Sequence, residues 1–238
     1  MEQLTWTGSL AGLNIIFLGL CVMLALAVAA QIVVSFLPAS EAQEINPDGT
    51  VARRGGVAGG LNRAVILLFA LLILVALIYI VAGAFMGPQA GIFGGMSQQM
   101  LPVWIALILT FAVSIHFKRR LGLYGKLFDS TVGMIGFAIV MFWVFTGVFG
   151  GLFDLLVTHD SLSQTSGMKN KLPGTPLRSP DEGEYPWFLL GGDNLARDVF
   201  SRLIKGSWVV VQIAPLATLF AFMVGITLGL PAGYYGGG

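Results

Sequence analysis

The segment GGDNLARDVFSRLIKGS carries two carboxylate–guanidinium pairs at helical spacing. Asp193 and Arg197 are four residues apart, as are Asp198 and Arg202. Such pairs are neighbours on a helix and contribute about 0.2–0.5 kcal/mol each when exposed. Arginine also suits bidentate contact with a carboxylate, so the chemistry indicated is ion pairing and recognition. The candidate site comprises Asp193, Asn194, Arg197, Asp198, Ser201 and Arg202.

The residue types that make and break bonds are scarce. His116 lies beside Lys118 at the end of an apolar run and is interpreted as an interfacial group. His159 and Asp160 are adjacent, but no Ser, Cys or Glu nearby in the sequence completes a triad or a metal set. Cys21 is the single cysteine and there is no GxxxxGK[ST] motif. The sequence therefore predicts no catalytic residue, no metal site and no cofactor in this chain.

The composition shows what surrounds these residues. The chain has 238 residues, of which 13 are Lys or Arg, 12 are Asp or Glu, and 56% are hydrophobic. The mean hydropathy is +0.84. An average soluble domain carries about 25% charged residues, and the net charge of +1 gives no field that would attract nucleic acid. These values exclude a soluble enzyme and a basic nucleic-acid binder, and they indicate a polytopic membrane protein.

Five uncharged stretches approach or exceed the length of a spanning helix, which is about 20 residues. Unpaired backbone groups cannot remain in hydrocarbon, so each stretch is predicted to be helical. We expect an all-α integral membrane protein with five transmembrane helices. The predicted spans are Ala11–Leu37, Ala64–Met86, Leu101–Phe117, Thr131–Phe153 and Trp208–Ala232.

Basic residues predict the orientation, because short loops rich in Lys and Arg stay in the cytoplasm. Gly87–Met100 and the tail before the first span contain no Lys or Arg, which places the N-terminus outside. The segment 154–207 is then extracytoplasmic. The loops after spans one and three hold the cytoplasmic cations Arg53, Arg54, Arg63, Lys118, Arg119, Arg120 and Lys126.

The long outer segment has two predicted parts. Residues 159–184 are polar and turn-rich, and we expect them to lie on the membrane or a partner without a core of their own. The second part is predicted to be a short amphipathic helix along the membrane surface, with Asp193 as N-cap and Gly206 as its stop. It is either a solvated lead-in to span five or a contact with a partner or an outer gate.

Small residues recur every fourth position along span five. This spacing lets another helix backbone approach closely, so span five is predicted to pack inside a bundle. Pro231 marks a kink or the end of the helix. The stripe consists of Ala217, Ala221, Gly225, Gly229 and Gly233.

From about Lys126 onward the chain resembles the C-type permease subunit of dipeptide and oligopeptide ABC importers. MIGFAIVMFWVFTGVFGGLF resembles that family's first span, and GGDNLARDVFSRLIKGS is similar to its GTDNLGRDVFSRVIYGA signature. Leu216–Leu230 resembles the next span and leads into AGYYGG, close to the family's AGYFGG. Five residues match the signature: Asp193, Arg197, Asp198, Ser201 and Arg202. Three depart from it, with Gly192 for Thr, Ala196 for Gly and Lys205 for Tyr.

The resemblance implies a non-catalytic subunit in a bacterial inner membrane. Its implied partners are a second permease subunit, two cytoplasmic ATPases that bind the ATP, an extracytoplasmic solute-binding protein, and membrane lipid. It also implies a division of the chain: an accessory region with three spans over 1–125, a first family-like span over 126–157, an outer loop over 158–207, and the start of the transport core over 208–238. We expect the chain to be cut before the family's coupling loop.

Two alternatives belong to other classes. A non-transporting scaffold or assembly subunit would use the small-residue stripe and the outer helix to hold a partner permease. An independent secondary transporter would place ionisable groups at depth and would contain two matching broken-helix halves. The spans show neither feature, which weakens the second alternative.

Overall fold

A computed structural model describes residues 2–36, 43–45, 51–53, 57–118, 120 and 122–236. The described residues are mostly helical, as expected where long apolar runs must pair their own backbone groups. The helices are α1 (Ala11–Ser35), α2 (Val57–Met86), α3 (Gly91–Gln99), α4 (Leu101–His116), α5 (Gly122–Leu127), α6 (Thr131–Gly147) and α7 (Val199–Tyr234).

The predicted class of all-α membrane protein is confirmed, and a helix covers most of each predicted span. Four helical segments in the described part are long and apolar enough to cross a bilayer. They contain α1, α2, α6 and α7. The fifth, α4, has 16 residues. At 1.5 Å per residue it is about 24 Å long, shorter than a hydrocarbon core of about 30 Å.

The neutral connection Gly87–Met100 between spans two and three is itself mostly helical. It forms a short 3₁₀ turn followed by α3, which packs on α2. Glycine makes the approach possible, because a Cβ on Gly83 would lie 2.9 Å from the Cα of Gly94. Gly87 and Gly91 have φ values of 56° and 75°, which let the chain turn back.

The connections between successive spanning helices lie alternately at two opposite ends of the molecule, as the distribution of basic residues predicts. Between α1 and α2, the strands β1 (Gln43–Ile45) and β2 (Val51–Arg53) form a short antiparallel hairpin. Between α4 and α6, Lys118 pairs with Asp129 at 2.5 Å. Arg54 and Arg119 lie outside the described residues.

At the opposite end, three segments distant in sequence meet in one structure, here called the cap (residues 2–10, 87–100 and 154–198). The backbone N–H of Leu4 donates to the carbonyl of Gly174 at 2.9 Å, and that of Ile92 donates to Thr5 at 2.9 Å. The indole of Trp187 donates to the carbonyl of Glu2 at 3.1 Å. These are the segments that the alternation of basic and neutral loops placed on a common side of the membrane.

The cap has hydrophobic cores of its own, which corrects the prediction that residues 159–184 cannot build one. Within that stretch Met168 and Leu177 are buried with Phe188. The short strands β3 (Thr175–Pro176) and β4 (Trp187–Phe188) form a two-residue hairpin beside them. A larger cluster joins α4 to the start of α7 and consists of Val103, Leu156, Leu189, Phe200 and Ile204.

Candidate functional site

The start of α7 differs from the predicted amphipathic helix. Asp198, and not Asp193, is the N-cap: its carboxylate accepts from the backbone N–H groups of Phe200 and Ser201, both at 3.2 Å. The helix then continues for 36 residues through Gly206, which does not have the positive φ of a helix stop. The lead-in and span five are therefore one helix, because the apolar sequence continues without a residue that ends it.

Asp198 is the centre of a buried polar cluster. Its side chain has no exposed surface. Oδ2 accepts hydrogen bonds from the hydroxyls of Ser201 at 2.6 Å and Thr158 at 2.8 Å. Burial acts to raise the pKa of Asp198, but the hydrogen bonds from His159, Ser201 and Thr158 outweigh it and hold that pKa below its ordinary value. The carboxylate is thus kept charged at the positive end of the helix dipole.

His159 joins this cluster to the outer loop. Its Nδ1 lies 3.3 Å from Oδ2 of Asp198, and its Nε2 lies 2.8 Å from the carbonyl oxygen of Tyr185. Its backbone N–H donates to the hydroxyl of Ser201 at 3.1 Å. The ring also packs edge-on against Phe188, with centroids 4.8 Å apart. This role could not be predicted from the sequence, because these partners are separated from His159 by 26 to 42 residues.

The group His159, Asp198, Ser201 and Thr158 contains the residue types of a catalytic triad but not its geometry. The hydroxyl of Ser201 donates to Asp198, whereas a triad nucleophile would donate to the imidazole. Nε2 of His159 faces a backbone carbonyl, and Ser201 is fully buried. The cluster therefore holds the fold together and presents no nucleophile. Within the described residues, no three His, Cys, Asp or Glu side chains are grouped to hold a metal ion.

Asp193 organises the turn that precedes α7. Its carboxylate accepts from the backbone N–H groups of Leu195 at 2.8 Å and Arg197 at 2.9 Å. It also pairs with the guanidinium groups of Arg197 at 2.9 Å and Arg202 at 3.3 Å. The backbone hydrogen bond from Arg197 is the main reason that the pKa of Asp193 falls to about 2. Arg202 thus pairs with Asp193 and not with the predicted Asp198, which is buried below the turn.

The signature residues therefore separate into two groups. Asp198 and Ser201 are buried in the polar cluster, whereas Asn194 and Arg202 are exposed on the surface of the cap. Asp193 and Arg197 are partly buried and connect the two groups through the turn. Only the exposed side can meet another molecule directly.

A glycine seam, not found from the sequence, joins α6 to α7. The end of α6 continues as a π-helical turn over Val148–Leu152. A Cβ added at Gly151 would lie 2.1 Å from Cβ of Trp208, and one at Gly147 would lie 3.0 Å from Val211. The small residues that let α7 pack closely are thus at the end of α6 and in the turn that follows it. A clue was present, since VFTGVFGGLF places three glycines within five residues.

The small-residue stripe of α7 has no helix against it in the described part of the chain. A Cβ added at Gly225, Gly229 or Gly233 would meet no atom within 4 Å. Every described residue from 212 onward is exposed. Pro231 lies inside α7, which continues to Tyr234, so the helix does not end at this proline.

Comparison with known proteins gives several relatives of one kind. The chain is 30% identical over 113 residues to the dipeptide transport system permease protein DppC of Alkalihalophilus pseudofirmus, covering 48% of this chain and 33% of the relative. It is 43% identical over 56 residues to DppC of Haemophilus influenzae, covering 24% and 19%. It is 42% identical over 57 residues to the glutathione transport system permease protein GsiD of Pectobacterium atrosepticum, again covering 24% and 19%.

The predicted resemblance to C-type permease subunits is confirmed. The chain spans a third or less of the length of each of these relatives. No family model and no solved structure matches it. Together with its several spanning helices, the likeness identifies a multi-pass protein of the inner membrane.

Two departures from the permease signature have physical consequences in the cap. Gly192 stands where the family usually has Thr, and a Cβ there would lie 1.9 Å from the carbonyl oxygen of Met168. The loop that carries Met168 thus covers a position that a larger residue would occupy. Ala196 stands where the family usually has Gly and has a φ of 61°. The family's glycine matches this left-handed conformation, which alanine adopts at a cost.

The third departure, Lys205 in place of the family's Tyr, is accompanied by an ion pair with Asp154. This pair lies on the wall of an open cavity of about 450 Å³ at the cap surface, next to Thr158, His159 and Asp160. The cavity adjoins the polar cluster around Asp198.

Proposed function

We propose that this chain is a transmembrane permease subunit of an ABC importer for peptides or similar small solutes. It would form part of a translocation pathway that separate ATPase subunits drive, and would itself have no catalytic role. The observation that carries the proposal is the likeness of 56 to 113 residues of the chain to named dipeptide and glutathione permease proteins.

The geometry supports this role for the signature. Asp193 holds Arg197 and Arg202 on the cap surface, while Asp198 fixes the start of α7 beneath them. In the proposed transporter this rigid turn braces the extracytoplasmic side, where a solute-binding protein would deliver its load. The exposed stripe of α7 would face the second permease subunit across the pathway.

An uptake assay tests the proposal. The protein would be expressed with partner permease, ATPase and binding-protein genes in cells that lack their own dipeptide uptake. We expect Arg197→Ala and Arg202→Ala each to lower the uptake of a labelled dipeptide without lowering the amount of protein in the membrane. Lys169→Ala, an exposed charge on the same loop, is the matched control and should leave uptake unchanged.

Two outcomes would contradict the proposal. Absence of any ATP-dependent uptake by the complete system would remove the transport role and favour a scaffold. Unchanged uptake in both arginine variants would reduce the signature turn to a passive lead-in. Cysteine labelling of the Cys21→Ser protein tests the orientation: cysteines at positions 54 and 119 should be reached from the cytoplasmic side, and one at position 169 from the outside.

A further inference from the structure

A second cavity, of about 280 Å³, lies in the part of the chain that precedes the family-like region. It opens between α1 and α2 and is bounded toward the cap by α3. Its apolar walls come from Phe17, Ala76, Ile80 and Phe93, one or two from each helix. None of these residues belongs to the permease signature, so the cavity is independent of the site described above.

Three polar side chains form a chain of hydrogen bonds at the edge of this cavity. The hydroxyl of Tyr79 donates to Oδ1 of Asn14 at 2.6 Å, and Nδ2 of Asn14 donates to the hydroxyl of Thr7 at 2.8 Å. A side-chain amide has two N–H groups, and this arrangement uses one. Asn14 is exposed, so its second N–H is available to an acceptor outside the protein.

The cavity changes from polar to apolar with depth. Asn14 lies three residues inside the start of α1, about 5 Å along the helix at 1.5 Å per residue. Phe17 lies almost one turn deeper, and its ring meets that of Tyr79 edge-on at 6.4 Å. On the cap side, Trp6 packs against Phe93 at 5.6 Å and is 51% exposed, as suits an aromatic residue at the membrane interface.

This gradient matches one class of bilayer molecule. A glycerolipid has ester carbonyls, which only accept hydrogen bonds, at the interface, and acyl chains below them. A free amide N–H above an apolar cleft complements both parts. A second transmembrane helix would instead need a groove that continues along α1 and α2, whereas here Thr7 and Phe93 close the cleft toward the cap.

We propose that this cavity binds a diacyl glycerolipid, with one acyl chain between α1 and α2 and an ester carbonyl on the amide of Asn14. The bound chain covers the rings of Phe17 and Phe93, which are otherwise 36% and 45% exposed. The proposal requires that the chain be inserted in a membrane and does not depend on its transport role.

Photo-crosslinking tests the site. The full chain would be reconstituted in phosphatidylethanolamine vesicles that contain a diester analogue with a diazirine in the middle of one acyl chain. Mass spectrometry would then locate the adducts. We expect adducts at Phe17 and Ile80 to exceed severalfold those at Leu228, an exposed apolar residue of α7 outside the cavity.

Two variants and a matched control examine the two halves of the site. Ala76→Phe fills the cleft and should reduce the adducts at Phe17 and Ile80 to the level at Leu228. Ala70→Phe, on an exposed position of the same helix, should change nothing. In the wild type an unlabelled diester lipid should compete severalfold better than its ether analogue, which lacks the carbonyl, and Asn14→Leu should abolish that difference.

The proposal would be overturned if adducts in the wild type were spread evenly over the lipid-facing helices. Unchanged adducts in a folded Ala76→Phe protein would also overturn it. If Ala76→Phe does not fold, the proposal is tested by comparing competition from the diester lipid and its ether analogue, in the wild-type protein and in Asn14→Leu. Equal competition by the two lipids in the wild type would then reject the proposed contact with the ester.

Discussion

Nδ1 of His159 lies 3.3 Å from Oδ2 of Asp198, and this contact joins the outer loop to the first turn of α7. Both side chains are buried, with 3% and 0% of their surface exposed. On its other side the imidazole reaches the carbonyl of Tyr185. A single ring thus couples the conformation of the loop to the N-terminus of the longest helix.

Replacing Asp198 should be the most damaging single change in the cap. Asp198→Ala removes an N-cap, worth about 0.5–2 kcal/mol. It also leaves the buried hydroxyl of Ser201 without its acceptor, at a cost of about 1–3 kcal/mol, and removes the acceptor of the half-buried hydroxyl of Thr158. We expect a loss of about 3 kcal/mol in the free energy of unfolding, measured by denaturant titration in detergent. Asn194→Ala, on the exposed side of the same turn, is the control and should cost less than about 0.5 kcal/mol.

Acid should weaken the cap between about pH 4 and pH 2. The pKa of Asp193 is about 2 and that of Asp198 is also below its ordinary value. A carboxylate with a lowered pKa in the folded state contributes stability above its unfolded pKa of about 3.9, and that contribution is lost as the pH falls through the folded value. Asp193→Asn should therefore flatten the fall in melting temperature below pH 4. A fall as steep as that of the wild type would show that Asp193 contributes nothing.

A substitution series at Ala196 tests the left-handed turn. With φ at 61°, a β-branched residue should be strained, so Ala196→Val is expected to lower the free energy of unfolding by about 2 kcal/mol. Ala196→Gly relieves strain but loses a methyl group that packs near Met168 and Phe188, so it should stay within about 1 kcal/mol of the wild type. Equal stability of the Val and Gly variants would exclude this conformation.

The seam between α6 and α7 should be intolerant of a single methyl group. Gly151→Ala would place Cβ 2.1 Å from Cβ of Trp208, and overpacking of this kind costs about 1–3 kcal/mol. Gly136→Ala, on the same helix but with no atom within 4 Å, should be neutral or slightly stabilising. Thermal unfolding followed by circular dichroism would measure the stability of both variants. If Gly151→Ala did not lower the stability, α7 would not be packed against the end of α6 at this position.

The positions of the spans could be predicted from the sequence because hydropathy and the absence of charge act locally. The helix α6 begins at Thr131, where it was predicted to begin, since Ser130 is a suitable N-cap. The three cap segments lie at the same end of the spanning helices, which agrees with the distribution of basic residues. That this end is extracytoplasmic stays a prediction.

What could not be predicted depends on contacts between distant residues. Asp193 and Asp198 are both good N-caps in sequence, and only the partners Thr158 and His159 decide that the helix begins at Val199. The core that Met168 and Leu177 form with Phe188 was missed, because Phe188 lies outside the stretch 159–184 in which a core was sought. The spacing of glycines in the stripe of α7 was regular but said nothing of which helix, if any, lies against it.

The contacts of the N-terminal segment set an order for the assembly of the protein. Glu2 and Leu4 bond to Trp187 and Gly174, which are made about 170 to 185 residues later. At a synthesis rate of roughly 5–20 residues per second, these partners emerge about 10–40 s after the segment itself. The first three hydrophobic helices can therefore enter the membrane well before the cap can close. The N-terminal segment must stay accessible on the same side throughout that interval, which makes closure of the cap a late step in biogenesis.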